Sequence, residues 1–148
     1  MGKPKKPAFA QAPPSHGKQP RLGVHDPGLE ALRKPSWRLQ YLDLEGPFGW
    51  RKCADAHLEP ILNGLQSFET MNWTDIEQRK SCHSMPVPAL CKEARERLGE
   101  LKLDDVDVLY QLRLSGTQRV WGIRDRNILK LLWWDPDHDV YPVEKKHT

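Results

Sequence analysis

Four side chains in the last third of the chain could do chemistry together, Arg119, Arg124, His138 and Tyr141, with Arg113 as a further phosphate contact. Guanidinium groups hold phosphate oxygens bidentately, and an imidazole takes or gives a proton near neutral pH. A phenol can stack on an unpaired base or assist in proton transfer. Such a set suits a site that binds a sugar–phosphate junction. Lys130, and Lys145 and Lys146 near the C-terminus, add candidate phosphate contacts.

The segments that must position these groups read as a meander. Leu109–Gly116, Gln118–Arg124 and Asn127–Trp134 are three strands with β-branched, aromatic and leucine content, separated by Ser115-Gly116-Thr117 and Asp125-Arg126-Asn127 turns. Strand alternation puts Arg119, Trp121 and Ile123 on one face and Val120, Gly122 and Arg124 on the other. Leu112, Leu114, Leu129 and Leu131 face the core, which leaves Arg113 and Lys130 on the solvent side. Trp121, Trp133 and Trp134 read as core residues, with base stacking on an open sheet face as the alternative. The third strand runs into a polar tail, Asp135-Pro-Asp-His-Asp-Val-Tyr141.

Upstream, Trp37–Glu45 alternates and predicts a strand, followed by turns at Gly46-Pro47 and Gly49. Leu58, Ile61, Leu62, Leu65 and Phe68 form one stripe of an amphipathic helix with Pro60 in its first turn. Thr74-Asp-Ile-Glu77 predicts a capping box. A second long helix is expected to start at Pro88, with Leu90, Ala94, Leu98 and Leu101 inward and a Glu93–Arg97 pair outward. The predicted fold is α+β, ordered β-α-α-β-β-β. It has an antiparallel sheet of three to four strands packed on two helices and one sheet face partly open.

Residues 1–36 hold seven of the thirteen prolines and seven lysines and arginines against Asp26 and Glu30. Such a segment buries little apolar surface, so it reads as a disordered Pro/Lys-rich arm ahead of a domain at 37–148. Its surplus of five positive charges against a whole-chain net charge of +3 leaves the domain net negative. The arm is either a solvating leader or a basic contact to nucleic acid. No apolar run is long enough for a membrane span, and no secretory signal is evident. Three cysteines, an odd count without a framework, suit a reducing cytoplasm.

Competing chemistries fit less well. Asp135, Asp137 and Asp139 alternate like the start of a calcium loop, but Val140 stands where that loop needs glycine and His147 where it needs glutamate. The same segment can be an acid/base site built on His138, or simply an acidic turn. Cys82, His83, Cys91 and His57 lack any zinc-knuckle spacing. Phosphate-loop and serine-hydrolase signatures are missing.

The run from Leu109 to Trp134, with Val140-Tyr141 after the tail, resembles the C-terminal sheet of RelE-like toxins. The element order resembles that superfamily over residues 37–148. The resemblance implies a cytoplasmic bacterial toxin or toxin-derived protein, without cofactor or metal. Such a protein would cut messenger RNA on the ribosome by attack of a ribose 2′-hydroxyl on the adjacent phosphate. Arg119 would hold that phosphate, His138 would transfer the proton, and Tyr141 would stack or assist. Arg113 and Arg124 would be auxiliary contacts. The alternative is a non-catalytic binding module of the same fold, of phage or mobile-element origin, whose partner is an antitoxin or another protein.

Overall fold

The computed structural model describes Gly2, Leu29 and residues 31–142. Its elements are β1 (Ser36–Arg38), α1 (Asp55–Glu69), α2 (Trp73–Glu77), β2 (His83–Pro86), α3 (Lys92–Glu100), β3 (Val108–Ser115), β4 (Gln118–Asp125) and β5 (Ile128–Asp135). The class is α+β, as expected. The sheet has five strands rather than three or four, in the order β1-β5-β4-β3-β2. It is mixed, because β1 runs parallel to β5 while every other pair is antiparallel.

The meander forms where the alternation places it. Leu112, Val120, Leu129, Leu131 and Trp134 build the core on one face, under α1 and α2. Trp121, Leu132 and Trp133 pack on the opposite face with Ala94 and Leu98 of α3. Both faces of the sheet are therefore covered, which corrects the expectation of one open face. Trp121, Trp133 and Trp134 are core residues. A bulge between Trp121 and Gly122 makes this two-sided burial possible. The partner of Trp121 is Trp133 and that of Gly122 is Leu131, so Leu132 is extra and turns to the α3 face. Glycine is required at this bulge: a Cβ on Gly122 would lie 2.6 Å from the Lys130 carbonyl oxygen.

Several upstream expectations shift. The first strand is three residues, not nine, because the chain leaves the sheet after Arg38 and Asp43 turns inward instead. The sheet gains β2, a short edge strand unseen in the sequence because Pro86 ends it and its exposed residues carry no apolar alternation. Pro88 opens only a single 3-10 turn at Val87–Ala89, and α3 begins at Lys92. Arg97 pairs with Asp43 and Glu100 rather than Glu93. On α1, Ile61 and Phe68 are buried, whereas Leu58 and Leu62 stay about half exposed, at 54% and 52%.

The capping box belongs to Asn72, not Thr74: its side chain accepts from Asp75 N–H at 2.8 Å, and the Asp75 carboxylate accepts from Asn72 N–H. This sets Trp73 into the core with its indole donating to Asn127 O. Replacing Asn72 by Ala should cost about 1 kcal/mol in chemical denaturation, since the Asp75 amide of the first turn loses its acceptor. A neutral result would mean that tertiary packing alone holds α2.

Of the Pro/Lys-rich arm, residues 1–30 lie outside the described residues apart from Gly2 and Leu29. Residues 31–36 are tied to the domain. The Ala31 carbonyl accepts from Thr74 Oγ1, the Arg33 carbonyl from Trp73 N–H, and the Lys34 carbonyl from Asn127 Nδ2. Among the described residues no helix is long and apolar enough to cross a membrane. Cys53, Cys82 and Cys91 are free thiols.

Candidate functional site

Register brings three of the candidate residues to one end of the sheet. Arg113 on β3 faces Arg119 on β4, and Arg119 faces Asp135 on β5. The two arginines share one acceptor: Gly116 O in the β3–β4 turn takes Arg113 Nε at 3.0 Å and Arg119 Nη1 at 2.7 Å. Thr117 Oγ1 of the same turn donates to Pro136 O at 2.6 Å, which pins the turn to the tail. The tail then curls back over this end of the sheet, with His138 in the left-handed region at φ 60°.

Asp135 shapes that curl. Its carboxylate is buried and accepts three hydrogen bonds, from Asp139 N–H at 2.8 Å, Val140 N–H at 3.1 Å and Trp121 Nε1 at 3.1 Å. Burial pushes its pKa up against the pull of these donors. The carboxylate is thus committed to the tail and the core. It forms no ion pair with either arginine among the described residues, although its charge still favours the protonated Arg119.

The electrostatics follow. Arg119 is 7% exposed and its Nε has no hydrogen-bond acceptor. Burial, then the adjacent Arg113 charge, lower its proton affinity, while Asp135 works in the other direction. The His138 pKa is lowered first by burial and then by Arg119, with a further push from Arg113, against Asp135 and Asp139. Two guanidiniums and an imidazole therefore sit within one another's fields, which favours the neutral form of His138. Arg113 is the exposed member of the cluster.

The other predicted residues lie elsewhere. Arg124 is at the far end of β4, with its guanidinium 4.2 Å above the Trp73 ring, its Nη1 paired with Glu77 and its Nε donating to Arg126 O. Lys130 pairs with Asp125 at 3.7 Å and lies over Tyr41. Tyr141 is half-buried against the α3-side cluster that contains Trp121 and Val140. Lys145 and Lys146 lie outside the described residues.

Sequence reading missed a second feature on the opposite side of the tail. A cleft of about 380 Å³ opens there, lined among others by Phe48, Lys52, His57, Trp134, Asp137 and Asp139. The His57 and Trp134 rings meet at 5.4 Å. The only signal in the sequence was the alternation Asp135, Asp137, Asp139, which says nothing about segment 47–57, the other wall. Among the described residues no three His, Cys, Asp or Glu side chains gather as a metal site would require. No family model, no curated protein and no solved structure matches this chain.

Proposed function

We propose that this chain is an RNA-binding protein of RelE-like kind, which takes a backbone phosphate at Arg113, Arg119 and His138. One observation carries the reading. Two arginines opposed in register, with an imidazole in the same field, form no ion pair among the described residues, because Asp135, whose charge still favours the protonated Arg119, spends its oxygens on three other donors. An anion would relieve that repulsion and give the Arg113 guanidinium a bidentate acceptor.

Arg113→Ala tests this without disturbing the core, because the side chain is exposed. The variant should weaken binding of a short single-stranded RNA across sequences and reduce the salt slope of log K by about 1. The His138 pKa, followed by NMR, should rise when RNA is added to the wild type, because a phosphate favours the imidazolium. An unchanged salt slope together with an unmoved His138 titration would dismiss the reading.

Cleavage is the second reading, favoured by the lowered His138 pKa. A neutral imidazole can accept the 2′-hydroxyl proton while the freed oxygen attacks the adjacent phosphorus; the bond from phosphorus to the 5′-oxygen breaks, and that oxygen takes a proton from water and leaves as an alcohol, giving a 2′,3′-cyclic phosphate. Comparing mRNA integrity after induction of wild type and His138→Ala decides it. Equal integrity leaves binding without cleavage.

A further inference from the structure

Helix α1 has two apolar lines, and only one of them meets the sheet. Ile61 and Phe68 are buried, with Leu65 half-buried beside them. Leu58 and Leu62 lie on the neighbouring line and stay about half exposed. The helical period places Asp55 one turn before Leu58 and Glu69 two turns beyond Leu62 on that same line. The exposed line therefore reads acid, leucine, leucine, acid.

Its charge is unanswered within the domain. The helix carries Asp55, Glu59 and Glu69 and neither lysine nor arginine. Among the described residues none of these three takes part in an ion pair. An apolar line with such flanks is complementary to a segment that is apolar and cationic at once.

The chain itself supplies such a segment, and it joins the domain at the matching end of α1. The Arg33 carbonyl accepts from Trp73 N–H and the Ala31 carbonyl from Thr74 Oγ1. Residues 31–33 thus meet the start of α2, just after α1 ends at Glu69. Upstream, residues 3–28 lie outside the described residues and carry Lys3, Lys5, Lys6, Lys18 and Arg21 against Asp26. Within them, 18–24 reads Lys-Gln-Pro-Arg-Leu-Gly-Val, two cations with two apolar side chains. Leu58 is about 16 Å from Glu69 along the helix, at about 1.5 Å per residue. Residues 24–31 can span up to about 23 Å at about 3.3 Å per residue, so the tether reaches.

We infer that segment 18–24 of this chain docks on the exposed line of α1. Leu22 and Val24 cover Leu58 and Leu62, while Lys18 and Arg21 meet the carboxylates. Exposed ion pairs contribute little each, so burial of the leucines carries most of the contact and salt weakens only part of it. The inference is separate from the RNA reading, because it uses none of Arg113, Arg119 or His138.

Brief trypsin digestion of the native full chain, read by mass spectrometry, tests this. Cleavage after Lys18 and Arg21 should be about tenfold slower in the wild type than in Leu58→Ser/Leu62→Ser, which changes only half-exposed side chains. Cleavage after Lys5, outside the segment, should proceed equally in both proteins and serves as the internal standard. Asp55→Asn/Glu69→Gln should speed cleavage of the segment about threefold at low salt and less at high salt. Protection that does not vary with protein concentration supports docking within one chain. Protection that grows with concentration would assign the segment to a second copy and overturn the inference. Equal cleavage of the wild type and the leucine variant would overturn it as well.

Discussion

Replacing Asp43 by alanine should lower the free energy of unfolding by about 3–5 kcal/mol, the cost of stripping one partner from a buried, hydrogen-bonded ion pair. Asp43 is 4% exposed. Arg97 grips it with two parallel bonds, Nε at 2.9 Å and Nη2 at 2.8 Å, and Trp133 Nε1 donates to the same carboxylate at 2.9 Å. The carboxylate thus joins the 39–50 segment to α3 and β5. Its removal leaves a guanidinium and an indole short of acceptors. Gly46 closes over the clamp so tightly that a Cβ there would lie 2.5 Å from Arg97 Nε.

Urea denaturation of Asp43→Ala, Arg97→Met and the double variant Asp43→Ala/Arg97→Met checks the account. The double variant should lose less than the sum of the two singles, because no charge is left stranded. A loss below about 1 kcal/mol for Asp43→Ala would show that the clamp contributes little. The pH dependence has a definite sign. Burial alone would raise the Asp43 pKa, but the hydrogen bonds from Arg97 and Trp133 outweigh it and the folded-state value is lowered. The contribution is therefore complete above the unfolded carboxylate range and fades as pH falls through the lower folded value.

Asp135→Ala should cost about 3 kcal/mol or more, because the Trp121 indole and the amides of Asp139 and Val140 lose their acceptor together. The effect is local as well as global. Val140 is buried and its amide is held by Asp135, so its hydrogen exchange in the wild type should be slow. In the variant that amide should exchange much faster relative to the centre of β4. Asp135→Asn should be milder, since one amide oxygen can still accept from Val140 and Trp121. Its pH profile runs opposite to that of Asp43. The raised folded-state pKa means that ionisation of Asp135 detracts from stability as pH rises through that range. If the Val140 amide exchanges equally fast in both proteins, the tail is not anchored as described.

The contrast between these two aspartates shows what the sequence could convey. Period-2 patterning and two turn signatures are local, so β3, β4, β5 and the position of Arg119 at the start of β4 were legible. So was the inward set Leu112, Leu129 and Leu131. Pairing across distance was not. Asp43 reads as one more residue of an alternating strand until Arg97, 54 positions on, is known to reach it. The bulge after Trp121 is equally silent, because Gly122 announces permissive backbone without saying which facing residue is extra. For the candidate site, the strands that carry Arg113 and Arg119 followed from patterning, but their pairing across β3 and β4 is fixed by register that the sequence does not state. The commitment of Asp135 to its own tail, and the wall formed by Lys52 and His57, depended on contacts between segments remote in sequence.

The parallel pairing of β1 with β5 has a consequence for how the chain is made. The Lys34 carbonyl is closed onto Asn127, 93 positions downstream, and Asp43 meets Trp133 across 90. During synthesis the first strand must wait, unpaired, until β5 has emerged. Until then the growing sheet ends at β4 with an open apolar border that another nascent chain could extend. Assembly is thus a late closure, and contacts of such high order slow its rate-limiting step. Substitutions in β5 should for that reason affect the yield of folded protein more than substitutions of similar burial in α3.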